Sequence, residues 1–205
     1  MAVMLILLRV LLSYLLGTVP TAYLFARAMK GVDIREYGSG NVGATNAVRV
    51  LGKTPGLLVL IIDVIKGIIA VTFISRMFFF DNLISFEVTR SLCGIAVVSG
   101  HIFNVFLGGK GGKGVATSAG VLLAIAPQAM LLGGLLFVVI VAVTRYVSLG
   151  SITAGLVIPF FMLYAKIHFS YTIMSAFLCI LIVAKHRPNI CRLLTGREKK
   201  VFEKR

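Results

Sequence analysis

Three stretches of the chain combine glycine, cations and small hydrogen-bonding side chains, the residue types that hold phosphate. The first runs Gly38-Ser39-Gly40-Asn41-Val42-Gly43-Ala44-Thr45-Asn46-Ala47-Val48-Arg49. Its glycines let backbone N–H groups approach an anion, and its Ser, Asn and Thr side chains donate hydrogen bonds. Its guanidinium suits bidentate contact with phosphate. The spacing also fits the dinucleotide pattern G-x-G-x-x-G, with Asp63 standing 20 residues past Gly43. No strand precedes it and no βαβ unit can be built, so that reading is excluded. The second stretch, Gly108-Gly109-Lys110-Gly111-Gly112-Lys113-Gly114, puts five glycines and two lysines into seven residues. Its spacing and the lack of a terminal Ser/Thr rule out a Walker A loop. It opens on a short apolar segment, whose N–H groups and dipole would also favour an anion. The plainer readings are a polar interfacial loop for the first stretch and a flexible connector with positive-inside lysines for the second.

The third cluster has two parts, Arg145-Tyr146-Val147-Ser148-Leu149-Gly150-Ser151 and the run from His186 to Glu198. His186, Asn189 and Arg192 are spaced by three and would share one broad face of a helix, with Ile190, Leu193 and Leu194 forming an apolar stripe beside them. A basic amphipathic tail resting on anionic lipid has the same pattern. His101 and Asn104 read as interhelical hydrogen-bonding groups, and Asp63 and Lys66, at i,i+3, as a mutually neutralising pair. Cys93, Cys179 and Cys191 are scattered with no C-x-x-C spacing, so neither a disulfide framework nor a metal site is implied.

The elements that must position these loops are apolar. Of 205 residues, 59% are hydrophobic and 14% charged, and the mean hydropathy is +1.00. One soluble core of this size cannot bury that much apolar surface, so lipid is the expected solvent for most of it. The net charge of +14 then reads as a basic cytoplasmic face, with no nucleic-acid role. Seven apolar segments stand out: Ala2–Phe25, Gly56–Ile74, Thr89–Leu107, Val115–Ala126, Ala129–Thr144, Ile152–Tyr164 and Tyr171–Ala184. The fourth is short for a span, and Pro127 predicts a tight turn between it and the fifth. Sixteen of the 21 Lys and Arg residues fall in loops 26–55, 108–114 and 145–151 and in the tail 185–205. The expectation is a polytopic, all-α integral membrane protein forming one domain over 1–205. It has seven transmembrane helices, the N-terminus outside and the C-terminus cytoplasmic.

The loops resemble the signature motifs of the bacterial acyl-phosphate-dependent glycerol-3-phosphate acyltransferases, the PlsY family. The matching stretches are Gly38–Asn46, Gly108–Thr117 and His186–Glu198, supported by Ser148–Ile152, where Gly150 is a small-residue variation. The resemblance runs over nearly the whole chain. It implies a bacterial inner-membrane enzyme with a cytoplasm-facing site. Such an enzyme moves a fatty acyl group from acyl phosphate to the 1-hydroxyl of sn-glycerol 3-phosphate, giving lysophosphatidic acid and phosphate. By motif match it assigns Ser39, Asn41, Thr45, Asn46, Arg49, Gly111, Gly112 and Arg192 to substrate and phosphate binding, and Lys113, Ser151, His186 and Asn189 to catalysis. No cofactor is expected, and no cluster of ligating side chains suggests a metal. The enzyme's partners would be the two substrates and the bilayer, with hand-off from an acyl-phosphate-producing enzyme and to the next acyltransferase. An acyl phosphate already carries a good leaving group, so such chemistry needs mainly positioning and charge stabilisation. The departing phosphate can accept the hydroxyl proton, with His186 as the rival base. A transporter for a phosphorylated anion and a lipid-binding scaffold are the other classes open to these residues. The lack of an internal repeat and the one-sided loops weigh against the first, and three glycine-rich polar clusters against the second.

Overall fold

The computed structural model describes residues 2–77 and 83–201 and contains only helices and connections among them. Lys204 and Arg205, counted in the basic tail above, lie outside the described residues. The α-helices are α1 (Ala2–Gly17), α2 (Thr21–Lys30), α3 (Ala44–Leu51), α4 (Lys53–Thr72), α5 (Phe86–Ile102), α6 (Val115–Ile125), α7 (Pro127–Thr144), α8 (Val147–Tyr164), α9 (Phe169–Lys185) and α10 (Arg187–Leu194). Single 3-10 turns lie at Ile34–Glu36, Ile74–Arg76 and Val105–Leu107. The chain divides after Ile125 into two compact units.

Each of the seven predicted apolar segments falls mainly on helix, and among the described residues five stretches are long and apolar enough to cross a membrane. These are Ala2–Lys30, Lys53–Arg76, Phe86–Leu107, Pro127–Thr144 and Val147–Tyr164. The count becomes six if α9 and α10, bent by 58° at their junction, form one broken span. Helix α6 fails on length, since 11 residues rise about 16 Å against a hydrocarbon core of about 30 Å. Helix α7 starts on Pro127, where a missing N–H costs nothing, as the tight turn predicts. Two predicted loops are largely helical. The 26–55 segment contains the end of α2, all of α3 and the start of α4, and α8 begins at Val147, five residues before the apolar segment predicted from Ile152. No proline interrupts 147–152, so Ser148 and Ser151 ride on the first turns of α8.

In the first unit the helices approach closely through small residues. A Cβ on Gly67 of α4 would collide with the Thr117 carbonyl of α6, and one on Gly120 of α6 with the Val64 carbonyl. The pair α1–α5 repeats the device, with Gly17 against Val97 O and Gly100 against Tyr14 O. Without a hydrophobic drive between helices in lipid, such close approach supplies the packing. Pro20 breaks the first span between α1 and α2 and leaves carbonyls without helical donors. Asn104 Nδ2 donates to Thr18 O at 2.7 Å, and Lys66 Nζ to Val19 O at 2.9 Å. Lys66 also pairs with Asp63 at 2.7 Å, as the i,i+3 spacing predicts, and Asp63 accepts from Thr21 Oγ1 at 3.0 Å. In the second unit α8 packs against α7 and α9. Gly150 sits against Phe137 and Val141, where an added Cβ would lie 2.9–3.1 Å from their atoms. The small residue at this position is therefore required by packing.

Breaking the buried pair on one side only should cost about 3–5 kcal/mol, because an unpaired charge is left in the interior. Asp63→Leu and Lys66→Met singly are expected to melt well below the wild type in detergent. The double variant should melt higher than either single one.

Candidate functional site

The first loop is shaped by two buried polar side chains. Asp33 caps the 3-10 turn by accepting from Arg35 N at 3.0 Å, and its carboxylate also accepts from Arg35 Nη2 at 2.6 Å. The Arg35 hydrogen bond holds the Asp33 carboxyl down at about 2, against the opposing effect of burial. Gly38 and Gly40 then turn the chain with φ of 65° and 72°, in the left-handed region. Asn46, 1% exposed on α3, reaches back into that turn. Its Oδ1 accepts from Ser39 N at 2.7 Å, while Nδ2 donates to Tyr37 O at 3.0 Å and Ile34 O at 3.2 Å. Asn46 thus holds the loop from inside. Ser39 and Arg49 are exposed, and Asn41 and Thr45 are half-buried. Thr45 and Arg49 lie four apart on the face of α3 beyond the loop.

The glycine loop is fixed to the end of α5. Gly111 N donates to Ile102 O at 3.1 Å and Gly112 N to His101 O at 3.0 Å. A Cβ on Gly111 would collide with the His101 carbonyl, and one on Gly112 with the His101 ring. These glycines therefore serve close approach, and their N–H groups face α5 carbonyls. The loop is thus not the flexible connector of the plainer reading, because the last carbonyls of α5 need donors and the glycine N–H groups supply them. Lys110 is exposed and Lys113 half-buried, two residues before the first turn of α6. Leu107, on the 3-10 turn before this loop, shares one apolar cluster with Ala22, Ala26, Ile34, Val42, Ala47 and Val59 beneath the first loop. The first unit thus brings both loops onto a common apolar floor.

In the second unit Asn189 and Arg192 meet at Glu198, together with Ser148. Ser148 Oγ and Asn189 Nδ2 donate to Oε1 at 2.7 and 2.6 Å, and Arg192 Nε donates to Oε2 at 2.8 Å. Burial alone would raise the Glu198 pKa, but the Asn189, Ser148 and Arg192 hydrogen bonds with the Arg192 charge outweigh it and hold the carboxyl below its ordinary value. Val201 N, three residues on, donates to Arg145 O at 2.8 Å and ties the tail to the α7–α8 corner. His186 is 2% exposed, and its Nδ1 lies 2.8 Å from Ile182 O. A carbonyl can only accept, so Nδ1 carries the hydrogen and Nε2 is the remaining ring nitrogen. Ser151 Oγ donates to Val147 O at 2.9 Å. Sequence spacing placed His186, Asn189 and Arg192 together but gave Glu198 no organising part. The signal was available, since Glu198 is the one acidic residue in 185–205 apart from Glu203. No group of three or more His, Cys, Asp and Glu side chains could hold a metal among the described residues.

The family model described as Glycerol-3-phosphate acyltransferase matches residues 7–196. A glycerol-3-phosphate acyltransferase of Prochlorococcus marinus (strain MIT 9312) is 42% identical over 194 residues, covering 94% of this chain and 95% of that one. Glycerol-3-phosphate acyltransferase 2 of Moorella thermoacetica is 42% identical over 198 residues, covering 97% and 98%. The chain is also similar to the crystal structure of PlsY (YgiH), an integral membrane glycerol 3-phosphate acyltransferase, in its glycerol 3-phosphate form. That match has a TM-score of 0.87 at 42% identity, over 95% of this chain and 94% of that one. The lysophosphatidic acid form matches at a TM-score of 0.85, with the same identity and coverage.

Because the folded Glu198 pKa is depressed, its contribution to stability is present above the ordinary value of 4.5 and is lost as pH falls through the lowered one. Wild-type melting temperature should therefore drop on acidification through that window more steeply than that of Glu198→Gln. Thermal scans of both proteins across acid pH measure the difference.

Proposed function

The chain belongs to the glycerol-3-phosphate acyltransferase family, and we propose that it acylates the 1-hydroxyl of sn-glycerol 3-phosphate with acyl phosphate as donor. The observation that carries the reading is the likeness, over 95% of the chain, to a structure whose description names a glycerol 3-phosphate form. Two cation-bearing glycine loops in the first unit support a substrate pair in which both members carry phosphate. In the reaction the 1-hydroxyl oxygen attacks the acyl carbonyl carbon and forms the ester bond. The bond from that carbon to the phosphate oxygen breaks, and the departing phosphate takes the hydroxyl proton. The products are lysophosphatidic acid and phosphate, and no redox partner or cofactor is needed.

Roles follow from chemistry and position. Lys113 neutralises the charge that grows on the leaving phosphate. Ser39, Asn41, Thr45 and Arg49 donate to substrate phosphate, while Asn46 keeps that loop in shape. Gly111 and Gly112 serve by setting Lys113 and the first turn of α6 in place. In the second unit Arg192 and Asn189 bind glycerol 3-phosphate, Ser151 lies on the helix beside them, and His186 Nε2 orients the attacking hydroxyl. The basic-residue bias supports an inner-membrane protein with the N-terminus outside and the motif-bearing segments on the cytoplasmic side. There the enzyme would receive its donor from an acyl-phosphate-producing enzyme and pass its product to the next acyltransferase.

Purified protein in detergent should release phosphate from acyl phosphate only when glycerol 3-phosphate is present, and should not use acyl-CoA. A transporter would show neither turnover nor donor choice without a membrane. Lys113→Ala should lower kcat by roughly 10²–10³-fold in folded protein, the usual loss for one transition-state electrostatic contact. Lys110→Ala should do less. Cys191 is an exposed thiol on α10, so a membrane-impermeant maleimide should label it in inverted vesicles and spare it in intact spheroplasts.

A further inference from the structure

His101 lies between a buried ion pair and the glycine loop, and nothing assigned so far uses it. It is the penultimate residue of α5 and 7% exposed. On one side its Nδ1 is 3.9 Å from Asp63 Oδ1. That carboxylate cannot shift, because Lys66 Nζ holds it at 2.7 Å and Thr21 Oγ1 at 3.0 Å, while Lys66 itself is tied to Val19 O. On the other side, Nε2 occupies the place where a Cβ on Gly112 would stand, with ring carbons Cε1 and Cδ2 at 2.9 and 3.0 Å from it. The backbone of Gly112 therefore rests on the imidazole. The main chain of the same residue takes the Gly112 N–H at 3.0 Å, and the next carbonyl takes Gly111 N–H at 3.1 Å.

We propose that His101 is the positioning residue of the glycine loop, the fixed block that transmits the place of the Asp63–Lys66 pair to Gly112 and so to Lys113. Two backbone bonds tie Gly111 and Gly112 to the end of α5, while Gly109 N and Lys110 N bond back to Asn104 O and Leu107 O. The ring adds a support on the side-chain side of Gly112. Gly112 has no side chain for the reason that the ring occupies its space, so the loop height above α5 is set by the imidazole itself. Lys113 is the next residue, and α6 begins two residues later at Val115. The ion pair thereby acquires a function beyond the repair of the α1–α2 break. This assignment rests on the proposed phosphate role of the loop, because only that role makes the exact placement of Lys113 matter to rate.

The test compares His101→Ala and His101→Gln with wild type by amide hydrogen exchange and by steady-state acyl transfer. In His101→Ala, exchange over residues 108–117 should quicken by about tenfold while the rest of α4, α5 and α6 keeps its protection. Its kcat/KM for glycerol 3-phosphate acylation should fall about 10–100-fold, in line with the cost of a displacement near 1 Å. His101→Gln, which restores a flat polar group of similar reach, should recover most of both. If His101→Ala does not fold, His101→Asn takes its place in the same comparison. Unchanged exchange at 108–117 in a folded variant overturns the proposal, and so does exchange that quickens evenly throughout α4, α5 and α6. Quickening confined to the loop with wild-type kcat/KM upholds the positioning and instead removes the loop from the proposed reaction. A wild type with no acyl transfer at all overturns the functional reading, while the exchange result still judges His101.

Discussion

Inside a bilayer every backbone N–H and C=O must find a partner within the protein, and this requirement organises the first unit. Pro20 divides an apolar run that would otherwise be one helix, and of the carbonyls beside the break Thr18 O is bonded by Asn104 and Val19 O by Lys66 and the Thr21 N–H. A lysine used this way needs a counter-charge, which Asp63 provides. Asp63 in turn needs further donors, which Thr21 provides. One helix break thus accounts for four polar residues in the interior of an apolar assembly. The same demand recurs at the end of α5, where the glycine loop gives its own N–H groups to the last carbonyls.

A common device shapes the first loop and the tail: a single shielded polar side chain gathers groups from separate turns. Asn46 draws Ser39, Tyr37 and Ile34 together, and Glu198 draws Ser148, Asn189 and Arg192 together. In each case the organiser is well shielded from water while residues near it are more exposed. Low local dielectric strengthens such bonds, and it also raises the cost of leaving any one of them unmade. Donors placed rigidly before a ligand arrives need no reorganisation when charge develops beside them.

The apolar segments were legible because a 59% hydrophobic chain punctuated by basic loops leaves few alternatives. The Asp63–Lys66 pair was legible from its i,i+3 spacing. Helix starts were less so: Ser148 and Ser151 read as loop residues because polar side chains near glycine mimic a turn, yet nothing there breaks a helix. The close approach at Gly111 and Gly112 was not legible, since sequence alone does not reveal what presses against a missing Cβ. Glu198 was hidden for a related reason. Its three partners come from two helices, and no spacing rule links Ser148 to a carboxylate 50 residues away.

The charges of Asp63 and Lys66 stand on one helix, three residues apart. Each charge alone at the middle of an inserting segment would add about 2.5–3.5 kcal/mol to the cost of leaving the translocon. Because both belong to α4, they can meet as soon as that helix forms, before any neighbour has docked. The segment then enters lipid as a net-neutral rod, and the ammonium exchanges part of its solvation for Val19 O only when α1 and α2 come alongside. Had the two partners been divided between helices, each would have had to cross into the bilayer unpaired. Biogenesis of this membrane protein therefore depends on where along the chain the counter-ion is carried, as well as on its presence in the finished fold.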